Sequence, residues 1–115
     1  MNLINIRFQL FQEIQKKSKN FIDISYLYYY FGILYFDGIL FEKNINVSID
    51  YFSFSSKLNN PFAQYSLGHI YFNGKFVKQD INKTIFYWNQ SANQNNKNAS
   101  FYLGHLYYTG QFIPV

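Results

Sequence analysis

Residues 63–76 read Ala63-Gln64-Tyr65-Ser66-Leu67-Gly68-His69-Ile70-Tyr71-Phe72-Asn73-Gly74-Lys75-Phe76, and residues 99–112 read Ala99-Ser100-Phe101-Tyr102-Leu103-Gly104-His105-Leu106-Tyr107-Tyr108-Thr109-Gly110-Gln111-Phe112. At this shift of 36 residues Ala63 falls on Ala99, Leu67 on Leu103, Gly68 on Gly104, His69 on His105, Tyr71 on Tyr107, Gly74 on Gly110 and Phe76 on Phe112. The same shift in the other direction lays Gly32 on Gly68, Tyr35 on Tyr71, Gly38 on Gly74, Tyr51 on Tyr87, Phe52 on Trp88, Ser55 on Ser91 and Asn59 on Asn95. Three copies share one frame, and a fixed period in this range marks a repeat architecture.

Within a copy the spacing is helical. Ala63, Leu67, Ile70 and Tyr71 follow the i, i+4, i+7, i+8 steps of one buried face, and Gly74 stands where a left-handed cap closes a helix. Pro61 behind Asn60 suits the first turn. Asp80 is placed to cap a second helix whose face carries Ile81, Ile85, Trp88 and Ala92, and the Asn-rich stretch 93–98 ends it. The frame predicts helices over about 24–37, 46–58, 61–73, 81–93 and 98–109, with a further one at 7–19. The mid-helix glycines Gly32, Gly68 and Gly104 each cost about 1 kcal/mol of helix propensity relative to Ala. Their recurrence implies that a neighbouring helix leaves no room for a side chain there. Gly68→Leu is accordingly expected to overpack, whereas Asn95→Ala in the turn between copies is expected to matter little. Ser and Thr are read as occupying polar helix positions.

The 115 residues are 49% hydrophobic, 23% aromatic and 14% charged, with formal net charge +4 and no cysteine. That excludes disulfide frameworks, zinc knuckles, thiolate nucleophiles and iron–sulfur clusters. Two histidines and six acidic residues leave little material for metal or hydrolytic chemistry. A single arginine, Arg7, with one lysine cluster at Lys16, Lys17 and Lys19, is a poor composition for phosphate recognition, so no nucleic-acid partner is expected. The apolar run from Ile24 to Phe36 lies between Asp23 and Asp37, and its thirteen residues fall short of the roughly 18 that a membrane span needs. No secretory signal pattern opens the chain, since Arg7, Gln9, Gln12 and Glu13 interrupt its apolar residues. With no cysteine, the sequence reads as cytoplasmic.

The repeat resembles the Sel-one-like repeat (SLR) family, relatives of the tetratricopeptide repeat. The residues that carry the resemblance are Ala63, Leu67, Gly68, Tyr71, Gly74, Val77, Asp80, Lys83, Tyr87, Trp88 and Ala92 in the second copy, and Ala99, Leu103, Gly104, Tyr107 and Gly110 in the third. The first copy keeps Gly32, Tyr35, Gly38 and Tyr51, with Phe31 for the Leu, Asn44 for the Asp and Val47 for the Lys. Leu40, Phe76 and Phe112 replace the family's second loop glycine. The resemblance covers about residues 24–115, in copies near 27–62, 63–98 and 99–115, the last truncated; residues 1–23 form an N-terminal helix that reads as an eroded copy. It implies an all-α, right-handed superhelix of antiparallel helix pairs, about 2.5 to 3 repeats long.

In such families these arrays are scaffolds and adaptors, for instance in signalling, that bind a peptide or protein on a concave face. The positions carried over for that face are Tyr29, Ile33, Phe36 and Asp37 in the first copy, Tyr65, His69, Phe72 and Asn73 in the second, and Phe101, His105, Tyr108 and Thr109 in the third. They are aromatic and nearly uncharged, which favours an apolar or aromatic-rich ligand over a carboxylate terminus. His69 and His105 lie one repeat apart, too far to share a metal, and neither has a partner that would make it a general base. No phosphate-binding glycine loop or nucleophile elbow occurs. Neither a cofactor nor a metal is expected, and no enzymatic activity. The alternative reading is association with a lipid surface through the aromatic face and Lys16–Lys19. Because the third copy stops without its second helix, Leu103, Leu106, Tyr107 and Phe112 are expected to stand partly open, so that the chain is a fragment of a longer array, self-associates or docks on a partner.

Overall fold

The computed structural model describes residue 9 and residues 21–110 of the chain. Five helices make up the regular structure of these residues: α1 (Phe21–Asp37), α2 (Ile45–Lys57), α3 (Pro61–Asn73), α4 (Ile81–Ala92) and α5 (Lys97–Thr109). This is an all-α helical repeat, and each helix lies within a few residues of the span its spacing predicts. The helix expected at 7–19, apart from residue 9, and the cluster Lys16, Lys17 and Lys19 fall outside the described residues. Among the described residues no helix is long and apolar enough to cross a membrane.

The chain divides into two compact units, Met1–Asn60 and Pro61–Val115. In the first, α1 packs along α2; in the second, α3 packs along α4 and α4 along α5. Local chemistry explains why each helix starts and stops where it does. Asn44 and Asp80 cap α2 and α4 by accepting the Val47 and Lys83 amides, each at 3.1 Å, so the Asn of the first copy replaces the Asp without loss of the bond. Asn96 does the same for α5 through the Ala99 amide. Gly38, Gly74 and Gly110 close α1, α3 and α5 at φ of +69°, +64° and +60°. The Asn44 amide donates to Tyr35 O and the Asp80 amide to Tyr71 O, both at 3.0 Å, so the two loops fold alike although Leu40 and Phe76 replace the second glycine.

The glycine expectation holds twice. A Cβ built on Gly32 would lie 2.6 Å from the Phe52 ring, and one on Gly68 would overlap the Trp88 indole. Around each contact the two units repeat one another bond for bond. Ser48 Oγ donates to Gly32 O at 2.6 Å and Thr84 Oγ1 to Gly68 O at 3.0 Å. Ser55 Oγ donates to Ser25 O, and Ser91 Oγ to Pro61 O, each at 2.6 Å. Tyr35 stacks on Tyr51 and Tyr71 on Tyr87, with rings 12° and 9° from parallel.

Four sequence expectations need correction. Ser48, Ser55, Thr84 and Ser91 are not on polar faces: all are buried, because each donates across the helix pair to a main-chain carbonyl that small side chains let it reach. Leu103 and Leu106 are not open but 7% and 2% exposed, since they point back onto Trp88 and Ala99. Only Tyr107 of that set stands out, 50% exposed; Phe112 lies outside the described residues. Gly104, unlike its counterparts, is exposed, and a Cβ built on it would meet nothing within 4 Å. Asn95 and its counterpart Asn59 both sit at φ +67°, a region Asn tolerates and Ala does not.

These geometries order a mutant series. Gly68→Leu is expected to cost on the order of 1 to 3 kcal/mol by forcing α3 and α4 apart, whereas Gly104→Ala should stabilise by up to about 1 kcal/mol, as an open mid-helix glycine does. Asn95→Ala should cost about 1 kcal/mol, and Asn95→Gly clearly less. Thermal or urea unfolding of the four variants checks the ranking; equal shifts for Gly68→Leu and Gly104→Ala would refute the packing account.

Candidate functional site

The first helices of the copies carry the candidate surface, and burial divides its members into two groups. In the first unit, Tyr29, Ile33 and Phe36 are half-buried along α1. The Tyr29 ring lies 6.0 Å from that of Phe52 and 5.5 Å from that of Tyr30, and burial, then the neighbouring hydroxyls of Tyr30 and Tyr26, pushes its phenol above the usual range. Asp37 is exposed at the end of the helix.

In the second unit Tyr65, His69 and Phe72 come together against Trp88. The His69 ring meets Tyr65 at 4.8 Å, Trp88 at 5.4 Å and Tyr102 at 4.8 Å, edge to face in all three cases. Tyr65 Oη and His69 Nε2 share a hydrogen bond of 2.8 Å, whose direction follows the imidazole tautomer. Trp88 Nε1 donates to Tyr65 O at 3.1 Å, which fixes the indole under this cluster. The Phe72 ring lies 5.6 Å from that of Trp88. Burial holds the His69 imidazole below its usual value and raises the Tyr65 phenol, to which the adjacent Tyr102 hydroxyl adds. Both groups are therefore uncharged at neutral pH. Asn73 is exposed at the end of α3.

On α5 the same positions are open. Phe101 is 68% exposed and Tyr108 90%, with His105 exposed between them and Thr109 beyond. Spaced i, i+4, i+7, they form one stripe on a helix whose opposite side, through Leu103 and Leu106, is locked into the core.

Tyr102 is the member that sequence reasoning misses. It packs against Tyr65, His69 and Trp88 and encloses the imidazole. The repeat gives no pointer to it, because its counterparts are Tyr30 and Ser66. Chemically the arrangement is a set of apolar and aromatic contact surfaces with a neutral imidazole. Among the described residues no group of three or more His, Asp or Glu side chains comes together in a way that could hold a metal ion.

Comparison with known proteins adds the following. The family model for the Sel1 repeat matches residues 25–60, 61–96 and 97–115, three segments that start 36 residues apart. Two solved structures share the fold, each 23% identical in sequence over 75% of this chain at a TM-score of 0.72. One is a Sel1 repeat protein from Oxalobacter formigenes, of which the match spans 34%. The other is c5321, a protective antigen present in uropathogenic Escherichia coli strains and displaying an SLR fold, of which it spans 18%. The chain thus corresponds to about a third or less of these relatives. No curated protein matches it.

The aromatic enclosure of His69 has a pH consequence. Its folded proton affinity is depressed, so the unfolded chain takes up the proton first as pH falls. The stability tied to His69 is complete above about pH 6.5 and is lost as the pH falls from there toward the folded value. The melting temperature of the wild-type chain is expected to drop between about pH 7.5 and 5.5 more steeply than that of His69→Gln. Parallel slopes would show that the imidazole is not desolvated.

Proposed function

The chain belongs to the Sel1 repeat family, whose members are generally protein–protein interaction modules and typically not catalysts, and from that premise we propose that it binds a peptide or protein through the first helices of its repeats. The contact residues in this reading are Tyr29, Ile33 and Phe36 on α1, Tyr65, His69, Phe72 and Asn73 on α3, and Phe101, His105 and Tyr108 on α5. The ligand is an apolar or aromatic-rich segment, bound in the cytoplasm and released unchanged.

The observation that carries the reading is the stripe on α5. Two large rings stand 68% and 90% exposed on a helix anchored from behind, an arrangement that leaves apolar area in water until something covers it. Rigid aromatic side chains backed by a packed core are the residues on which binding energy concentrates. No Lys or Arg stands at any of these positions, so recognition rests on ring contact and shape rather than on charge.

Selection of a random peptide library on the immobilised chain tests this. Selected sequences are expected to be rich in aromatic and large apolar residues, and to lose about tenfold or more in affinity on the double variant Phe101→Ala, Tyr108→Ala. Because both rings are exposed, that variant should melt within about 1 °C of the wild type, which separates lost contacts from lost folding. Peptides that bind the double variant equally well, or a chain that floats with anionic liposomes and selects no peptide, would overturn the reading.

A further inference from the structure

The first helix of every repeat is closed by the same device, a polar residue followed by a glycine in the left-handed region. Asp37-Gly38 ends α1, Asn73-Gly74 ends α3 and Thr109-Gly110 ends α5, with φ of +69°, +64° and +60° at the glycine. Only the middle one pairs a carboxamide side chain with the glycine, and of the chain's asparagines Asn73 alone precedes a glycine. Asn73 is exposed. The Gly74 amide reaches Ile70 O only at 3.4 Å, beyond the usual range for such a bond, whereas the Gly38 amide holds Leu34 O at 2.9 Å.

That junction sets a nucleophile and an electrophile one ring closure apart. With no Cβ on Gly74, no side chain shields its main-chain nitrogen from the Asn73 carboxamide. When that nitrogen gives its proton to hydroxide it can attack Asn73 Cγ. The new N–C bond closes a five-membered imide, and the carboxamide nitrogen takes a proton from water and leaves as ammonia. A second water then opens the imide at one of its two carbonyls. Cleavage of the new bond leaves an aspartate in an unaltered main chain. Cleavage of the original peptide bond leaves an isoaspartate, whose main chain runs through the side chain and is one methylene longer. In balance one amide and one water become one carboxylate and one ammonium, and nothing is oxidised or reduced.

We propose that Asn73 is a site at which the folded chain modifies itself, exchanging a neutral amide for a carboxylate at the C-terminal end of α3. The first repeat already holds the counterpart of the aspartate product: Asp37 is exposed at the same register, ahead of a glycine of the same conformation. The isoaspartate has no such precedent. Its longer main chain enters where the Gly74 amide turns back on Ile70 O and the Asp80 amide on Tyr71 O, and where Gly74 lies against Gln79. Both products put negative charge at the negative end of the helix dipole, on a helix that carries no Asp, Glu, Lys or Arg of its own. The chemistry does not depend on the chain's having a ligand.

The test is to keep the native chain for days in neutral and in mildly alkaline buffer and then map its peptides by mass spectrometry. Asn73 is expected to gain the mass difference between an amide and an acid several-fold more than any other asparagine, and faster in the alkaline buffer. Part of the product should accept a methyl group from an isoaspartate methyltransferase, and that fraction should melt below the unmodified chain. Asn73→Asp, which reproduces the other product, should melt close to the wild type, and Asn73→Gln should remove the mass gain at this position, because its imide would need a six-membered ring. Asn73 left intact in the native chain while the same chain unfolded in urea converts would overturn the proposal, since the helix end would then block the attack. Conversion spread evenly over the asparagines would overturn it as well.

Discussion

The first two repeats each depend on one contact, an aromatic ring of the second helix laid on the bare backbone of the first. Phe52 on Gly32 and Trp88 on Gly68 bring the two helices closer than any side chain at the glycine would allow. Closeness then makes the rest achievable: hydroxyls as short as those of Ser48 and Thr84 reach the opposite carbonyl, and Tyr35 and Tyr71 stack flat on Tyr51 and Tyr87. Among the described residues no buried polar side-chain atom is left without a partner, so this polar seam adds no desolvation cost to the ring packing.

Much of this was legible in the chain because the repeat exposes its own constraints. A mid-helix glycine is costly, so its return at Gly32 and Gly68 pointed to a close approach, and Asn44 could be aligned with Asp80 because both residue types cap a helix by the same acceptor. The buried hydroxyls were hidden for a physical reason. A serine that donates to a main-chain carbonyl needs no matching side chain, so it leaves no pairwise mark in the sequence, and its small polar group reads as solvent-facing. Asn59 and Asn95 were hidden in a similar way, since their left-handed backbone is a conformational demand and not a contact.

The candidate surface was only half legible. Position within the repeat picks out Tyr65, His69 and Phe72, but whether those rings are free depends on Tyr102, whose position is not kept as one residue type along the copies, being Tyr30 in the first and Ser66 in the second. Equivalent positions thus have different environments: His69 is enclosed and held neutral, while His105 stands in water. The core side of α5 was misjudged for the converse reason. Leu103 and Leu106 find their partners on α4, behind the helix, so the absence of a following helix in the sequence says nothing about their burial.

The chain's single tryptophan lies at the centre of the glycine contact of the second unit, while the first unit makes the same contact with phenylalanine. This difference makes the molecule optically asymmetric. Indole emission reports the environment of the second unit alone: an apolar surround while Trp88 sits between Gly68 and the α5 side chains, and a red-shifted, water-exposed one when that unit opens. Far-ultraviolet ellipticity sums both units. The two observables together therefore distinguish a chain that opens as one cooperative body from one whose halves part company, with no label attached and no residue changed.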